Sequence, residues 1–346
     1  MMRSPSSAAR RRTVAADRST IVTAAPSSDP RFQLATRAGL GRAITRAEST
    51  RPDHQAEART LLSAIMPHTG QAQRIGVTGV PGVGKSTFID AFGSMLTEQG
   101  HKVAVLAVDP TSRRSRGSIL GDKTRMAKLS VDPNAFIRPS PAGDMLGGVG
   151  RKTRETMLLC EAGGYDVVLV ETVGVGQSET VVSDMVDFFL VLMLPNAGDD
   201  LQGIKKGVLE AADLIAVNKA DIDEQAARRA ARHYETALHI LGPSEPDWSP
   251  PVQLISGQTG QGLKELWTTI GRHRQQTTLS GGRGRRRAEQ QVRWLEALIA
   301  EGLSRGFGAN PEIADRLRRT RDDVARGVIP ASTAAEGLLA LFFGHT

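Results

Sequence analysis

Residues 79–86 read Gly-Val-Pro-Gly-Val-Gly-Lys-Ser and follow directly on the apolar run Arg74-Ile75-Gly76-Val77-Thr78. This is the G-x-x-x-x-G-K-S pattern of a phosphate-binding loop, and no other feature of the chain constrains its fold as strongly. A buried strand has to deliver the chain to a glycine-rich turn, and a helix has to leave it. The loop residues Gly79, Val80, Pro81, Gly82, Val83 and Gly84 are placed to line a nest of backbone N–H groups for phosphate oxygens. Lys85 brings positive charge to the β- and γ-phosphates, and Ser86 offers a hydroxyl to Mg²⁺. The helix that follows, from Thr87 to about Glu98, points its positive end at the same anion.

Short Val/Ile/Leu runs recur after this loop at 75–78, 103–108, 167–171, 188–194, 214–218 and 252–256, separated by helical segments. Such β-α alternation predicts an α/β fold with a mostly parallel sheet covered by helices on both faces. The run 214–217 is followed by Asn218-Lys219-Ala220-Asp221. N-K-x-D at a strand end reads guanine. The Asp221 carboxylate accepts from the ring N–H and the exocyclic amine, whereas adenine would leave it unpaired. Lys219 can lay its stem over the base. Ser256-Gly257-Gln258 then opens a loop suited to guanine O6.

The acids of the metal shell come from three places. Glu171-Thr172-Val173-Gly174 ends the run 167–171 where small GTPases carry D-x-x-G, so Glu171 is a candidate for the Mg²⁺ shell and Gly174 for the γ-phosphate. The residue after Gly174 is Val175, and Gln177 comes two residues later, so the glutamine that orients attacking water is not at its usual place. Slow intrinsic hydrolysis follows, with a missing group supplied by a partner. Asp109 ends the run 103–108, and Asp122 lies in the polar stretch after it; both are candidate metal or water-positioning acids. Their alternative role as turn or helix caps stays open at this point.

The rest of the chain sets boundaries. The net charge is +7, but residues 1–50 hold nine arginines against Asp17, Asp29 and Glu48, so much of the excess is terminal. With Phe and Tyr sparse, this argues for a basic disordered tail at 1–30 rather than a nucleic-acid surface. The tail also has the Arg-rich, acid-poor character of a mitochondrial presequence, though Pro5, Pro26 and Pro30 weaken an amphipathic helix, and a bacterial cytoplasm is the preferred reading over a mitochondrial matrix. No apolar run is long enough to span a membrane, because Asp187 interrupts the best one. The lone Cys160 excludes an internal disulfide and reads as a packed thiol. The expected organisation is a helical extension at 31–70, a nucleotide-binding domain at 71–275, a Gly/Arg-rich linker at 276–287 and a helical arm at 288–346.

Taken together, GVPGVGKSTFI, VDPTS…GSILGDKTRM, KTRET, ETVGVGQSE, AGDDLQGIKKG and NKAD closely resemble the MeaB/ArgK family of P-loop GTPases, over about residues 35–346. The resemblance implies the SIMIBI class of P-loop NTPase, flanked by an N-terminal helical extension and a C-terminal dimerisation arm, hence a homodimer. It implies a GTPase that acts as chaperone to an adenosylcobalamin-dependent acyl-CoA mutase, chiefly methylmalonyl-CoA mutase, gating cofactor loading and protecting the mutase. GTP or GDP with Mg²⁺ would bind the protein itself, and adenosylcobalamin would enter only through the mutase. By motif, Lys85 and Ser86 would hold phosphate and Mg²⁺. Asp109, Asp122 and Glu171 would be the acidic metal and switch residues, and Asp199 to Lys206 the loop that senses the mutase. Two rival readings are a metallochaperone GTPase, disfavoured by seven scattered His and one Cys, and an ArgK-type kinase of amino-acid transport proteins, disfavoured by the guanine motif.

Overall fold

The Val/Ile/Leu runs form strands because both faces of each are covered. The computed structural model describes residues 29–108, 126–139, 146–172, 178–195, 206–242 and 247–344. Seven strands make one parallel sheet: β1 (Gln73–Gly79), β2 (Val103–Val108), β3 (Ala135–Arg138), β4 (Val167–Thr172), β5 (Phe188–Met193), β6 (Leu214–Val217) and β7 (Val252–Leu254), in the order β3-β2-β4-β1-β5-β6-β7. The strand of the phosphate loop is thus central, between β4 and β5. Six strands coincide with the predicted runs. β3 was not foreseen: Ala-Phe-Ile-Arg is only four residues long and ends in a charge, too short for a periodicity signal.

Twelve α-helices lie among the described residues: α1 (Arg31–Leu34), α2 (Arg37–Glu48), α3 (Pro52–Ile65), α4 (Lys85–Glu98), α5 (Leu146–Ala162), α6 (Ser178–Ser183), α7 (Lys206–Glu210), α8 (Glu224–Leu241), α9 (Leu263–Leu279), α10 (Gly282–Ala309), α11 (Pro311–Ala325) and α12 (Ala331–Phe343). Alternation along the strands sends side chains to two cores. On one face Val168, Val170 and Val191 meet Met157 and Leu159 of α5, with Leu40, Ile44 and Ile65 of the N-terminal helices behind them. On the other, Ile75, Leu169 and Leu190 meet Phe88, Phe92 and Leu96 of α4 and Leu266 and Ile270 of α9. Each large side chain so buried contributes about 1.5–3 kcal/mol. Cys160 sits in the first core, fully buried, and burial followed by the neighbouring Glu161 charge pushes its thiol far up from the usual range. The N-terminal helical extension is present as α1, α2 and α3. Thr36 caps α2 by accepting from the Gly39 N–H at 3.1 Å, and Pro52 opens α3.

The predicted linker at 276–287 is corrected. α9 runs to Leu279 and α10 starts at Gly282, with only Ser280 and a left-handed Gly281 between them. The arginines are not solvated linker residues. Arg287 grips both carboxylate oxygens of Asp187 at 2.6 Å and donates to the carbonyl oxygens of Gly70 (2.5 Å) and Ala72 (2.8 Å). Arg286 reaches both oxygens of Asp213 at 3.1 Å, and Arg283 donates to Ala72 at 2.9 Å. Asp187 and Asp213 are buried just before β5 and β6. The run therefore clamps the start of α10 to the amino ends of the central strands. α10 also continues through Gly306-Phe307-Gly308 to Ala309.

Candidate functional site

At the carboxyl end of β1 the chain has no room for a side chain. A Cβ on Gly79, whose φ is +151°, would lie 2.4 Å from the Leu192 carbonyl oxygen of β5. The turn passes on through Gly82 and Gly84, also at positive φ, and α4 begins at once with Lys85, two residues earlier than predicted. Gly84 is the N-cap, and no described side chain caps the helix. The first-turn N–H groups of α4 thus keep their donor capacity for an anion. Lys85 folds back inside the loop, its Nζ donating to the carbonyl oxygens of Gly79 at 2.7 Å and Val80 at 3.4 Å. Burial pushes its ammonium below the usual lysine range, and the charges of Glu171 and Glu179 counter that shift.

Ser86, on the first turn of α4, lies with its Oγ 3.4 Å from Glu171 Oε1, at the end of β4. Glu171 is buried. A hydroxyl and a carboxylate oxygen converging beside the phosphate nest are hard oxygen donors, the chemistry that suits Mg²⁺. The residues present therefore fit the metal that the motif implies. No cluster of three or more His, Cys, Asp or Glu suited to a resident metal occurs among the described residues. Asp109, Asp122 and Gly174 lie outside the described residues, as does the loop from Asp199 up to the start of α7.

The segment expected to read guanine is built by contact between three loops. Buried Asn218 donates from Nδ2 to the Val83 carbonyl at 2.8 Å and accepts the Gly257 N–H on Oδ1 at 2.9 Å. One amide thus ties the phosphate loop to the loop opened by Ser256. Lys219 is the one non-glycine residue at positive φ among the described residues (62°), and its Nζ donates to Gly82 O at 2.9 Å. A Cβ on Gly257 would come within 2.9 Å of Phe88 Cα, so this loop lies directly on the first turns of α4. Ser256 is fully buried and its Oγ accepts the Thr259 N–H at 3.0 Å, which shapes the turn. Asp221 and Gln258 are exposed, as is Thr87 on the first turn of α4. Direct contacts join Lys85 to Gly79 and Val80, Ser86 to Glu171, Asn218 to Val83 and Gly257, and Lys219 to Gly82.

Three residues at this end of the sheet were not singled out from sequence. Thr78 and Thr172 are buried and share a hydroxyl–hydroxyl hydrogen bond of 2.8 Å. Glu179, in the first turn of α6, is near enough for its charge to act on Lys85. Glu179 closes the stretch ETVGVGQSE, and that motif was the available signal.

The family model of the methylmalonyl-CoA mutase-associated GTPase MeaB matches residues 40–312. This chain belongs to the MeaB family of GTPases. Among MeaB relatives, a putative GTPase of Caulobacter vibrioides is 60% identical over 316 residues, covering 91% of this chain and 97% of that protein. A mouse protein, the mitochondrial methylmalonic aciduria type A homolog, is 45% identical over 317 residues, covering 88% of this chain and 76% of its own. A solved structure described as LAO/AO transport system kinase has a TM-score of 0.72 at 41% identity, covering 90% of this chain and 95% of that one. The chain is thus a P-loop GTPase, and the MeaB match spans the phosphate loop, the guanine motif and the arginine clamp alike. No helix among the described residues is long and apolar enough to cross a membrane.

Proposed function

We propose that this protein is a GTP-binding and GTP-hydrolysing chaperone of an adenosylcobalamin-dependent acyl-CoA mutase, with methylmalonyl-CoA mutase as the client. The observation that carries this reading is the MeaB match over residues 40–312, joined to a site in which phosphate loop and guanine loop are one hydrogen-bonded unit. Lys85 and the N–H groups of 79–87 hold the phosphates and stabilise charge on the transferring group. Ser86 and Glu171 hold Mg²⁺, with Asp109 and Asp122 as further acids and Gly174 on the γ-phosphate; the ion, when bound, neutralises charge developing on the phosphate oxygens. Asn218, Lys219, Asp221 and the loop Ser256-Gly257-Gln258 hold guanine. Intrinsic turnover is slow, because Val175 and not a glutamine follows Gly174. If the mutase prefers one nucleotide state, nucleotide alters mutase affinity by the reciprocal factor, which is the thermodynamic content of gating.

The protein acts as a homodimer in the cytoplasm. On α10 the residues Val292, Leu295, Ile299 and Leu303 recur at helical spacing and are each more than half exposed. Such a stripe is the seam of a helix–helix contact, here supplied by the second copy through the arm at 288–346.

Two measurements test the reading. GTP hydrolysis is followed with and without the organism's own cobalamin-dependent acyl-CoA mutases, with ATP as control. Strong stimulation by methylmalonyl-CoA mutase is the expected result, and turnover indifferent to every mutase refutes the chaperone role. Asp221→Asn replaces one of the two carboxylate acceptors by an amide donor, so one of the guanine donors meets another donor and GTP affinity falls about 10- to 100-fold. Xanthosine triphosphate, which offers a carbonyl in place of the amine, is expected to gain in the same competition assay; equal GTP affinity in the variant would unseat the guanine assignment.

A further inference from the structure

Thr172 occupies a junction that the motif reading leaves unused. Its backbone pairs with Val108, the last residue of β2, and its side chain bonds Thr78, the penultimate residue of β1. The backbone register of β1 with β4 ends one residue earlier, at Val77↔Glu171. The hydroxyl bond therefore continues the union of these strands one step past their ladder. That step lies beside Gly79, where the phosphate loop opens, and level with the end of β2 at Val108. Both hydroxyls are buried, with Thr78 at 1% and Thr172 at 0% exposure, in a face otherwise filled by Val170, Val182 and Val191. Water does not compete there, so each hydroxyl depends on the other.

Successive residues of a strand point to opposite faces. Glu171 accordingly faces α4, where its carboxylate meets Ser86, while Thr172 faces the other core. Tethering Thr172 to Thr78 sets the last peptide of β4 and hence where the Glu171 carboxylate stands relative to the phosphate loop. We propose that the Thr78–Thr172 hydroxyl pair is a positioning element for GTP hydrolysis, holding Glu171 in register with Ser86 and Lys85, so that its loss lowers kcat and leaves guanine-nucleotide affinity in place. This rests on the assignment of Glu171 to the metal shell.

The test compares single-turnover GTP hydrolysis and GDP affinity across variants. Thr78→Val with Thr172→Val replaces both hydroxyls by methyl groups of matching shape, so the core stays filled while the tether is gone. The expected result is a fall in kcat of tenfold or more, a GDP Kd within about threefold of the parent, and a raised Mg²⁺ requirement. Unchanged kcat, or kcat and affinity falling together with thermal stability, overturns the proposal. Thr172→Ser and Thr172→Ala give a second comparison should the double variant fail to fold. Both lose the γ-methyl and only serine keeps the hydroxyl, so serine retains most of kcat and alanine does not; equal rates overturn the proposal. Glu171→Gln separates the two layers: normal turnover in that variant removes the Glu171 assignment itself, whatever the threonines do.

Discussion

Lys85→Ala abolishes measurable GTP turnover while the fold survives. The ammonium lies within the phosphate loop, hydrogen-bonded to the Gly79 and Val80 carbonyl oxygens. Those acceptors are backbone groups of a half-exposed loop, so water replaces the lost donor and the core beneath is untouched. What disappears is charge aimed at the β- and γ-phosphates. Removing one preorganised donor of this kind costs about 100- to 1,000-fold in kcat, or about 2.7–4 kcal/mol of transition-state stabilisation. Single-turnover hydrolysis with a thermal melt on the same sample checks both halves. A folded variant that hydrolyses GTP at the parent rate would remove Lys85 from the site.

The second large effect is on stability. Asp187→Ala leaves Arg287 and Arg283 without the carboxylate that both face, and leaves the Arg74 N–H without its 3.0 Å acceptor. Asp187 is only 4% exposed, and breaking a buried ion pair by removing one partner costs about 3–5 kcal/mol. A denaturation midpoint equal to that of the parent would show that the arginines are rehydrated without loss. The pH dependence has a definite sign. Burial alone would raise the Asp187 pKa, but the Arg287 hydrogen bonds and the charges of Arg287, Arg283 and Arg74 outweigh it and hold the group below the usual carboxylate range. A depressed folded-state pKa stabilises above the unfolded value of about 3.9, and that stabilisation is lost as pH falls through the folded value. Parent and variant stabilities therefore converge in strong acid and diverge towards neutrality.

The clamp also shows where sequence reading stops. The central strands were legible because burial on both faces leaves mostly apolar residues, and the phosphate loop because its residue types obey local backbone geometry. Gly281, Gly282 and Gly284 among arginines carry the local signature of a linker. The helical state of Gly282 and Gly284 depends on Asp187 and Asp213, roughly 70 to 100 residues away in sequence, and no local pattern reports such partners. The same holds at the site. Asn218 was legible as part of a guanine motif, but its bonds to Val83 and Gly257 join three loops that only the sheet order brings together. Thr78 and Thr172 read as ordinary strand residues until β1 and β4 are placed side by side.

Cys160 has a practical corollary. It is the sole sulfhydryl of the whole chain and it is walled into the core, so maleimide reagents find the native surface inert. A probe attached through Leu303→Cys would then be alone on each protomer. In the homodimer proposed above, pulsed electron-spin resonance on that label would read one distance between the two copies, free of background, and would follow it through nucleotide exchange without any further engineering of the protein.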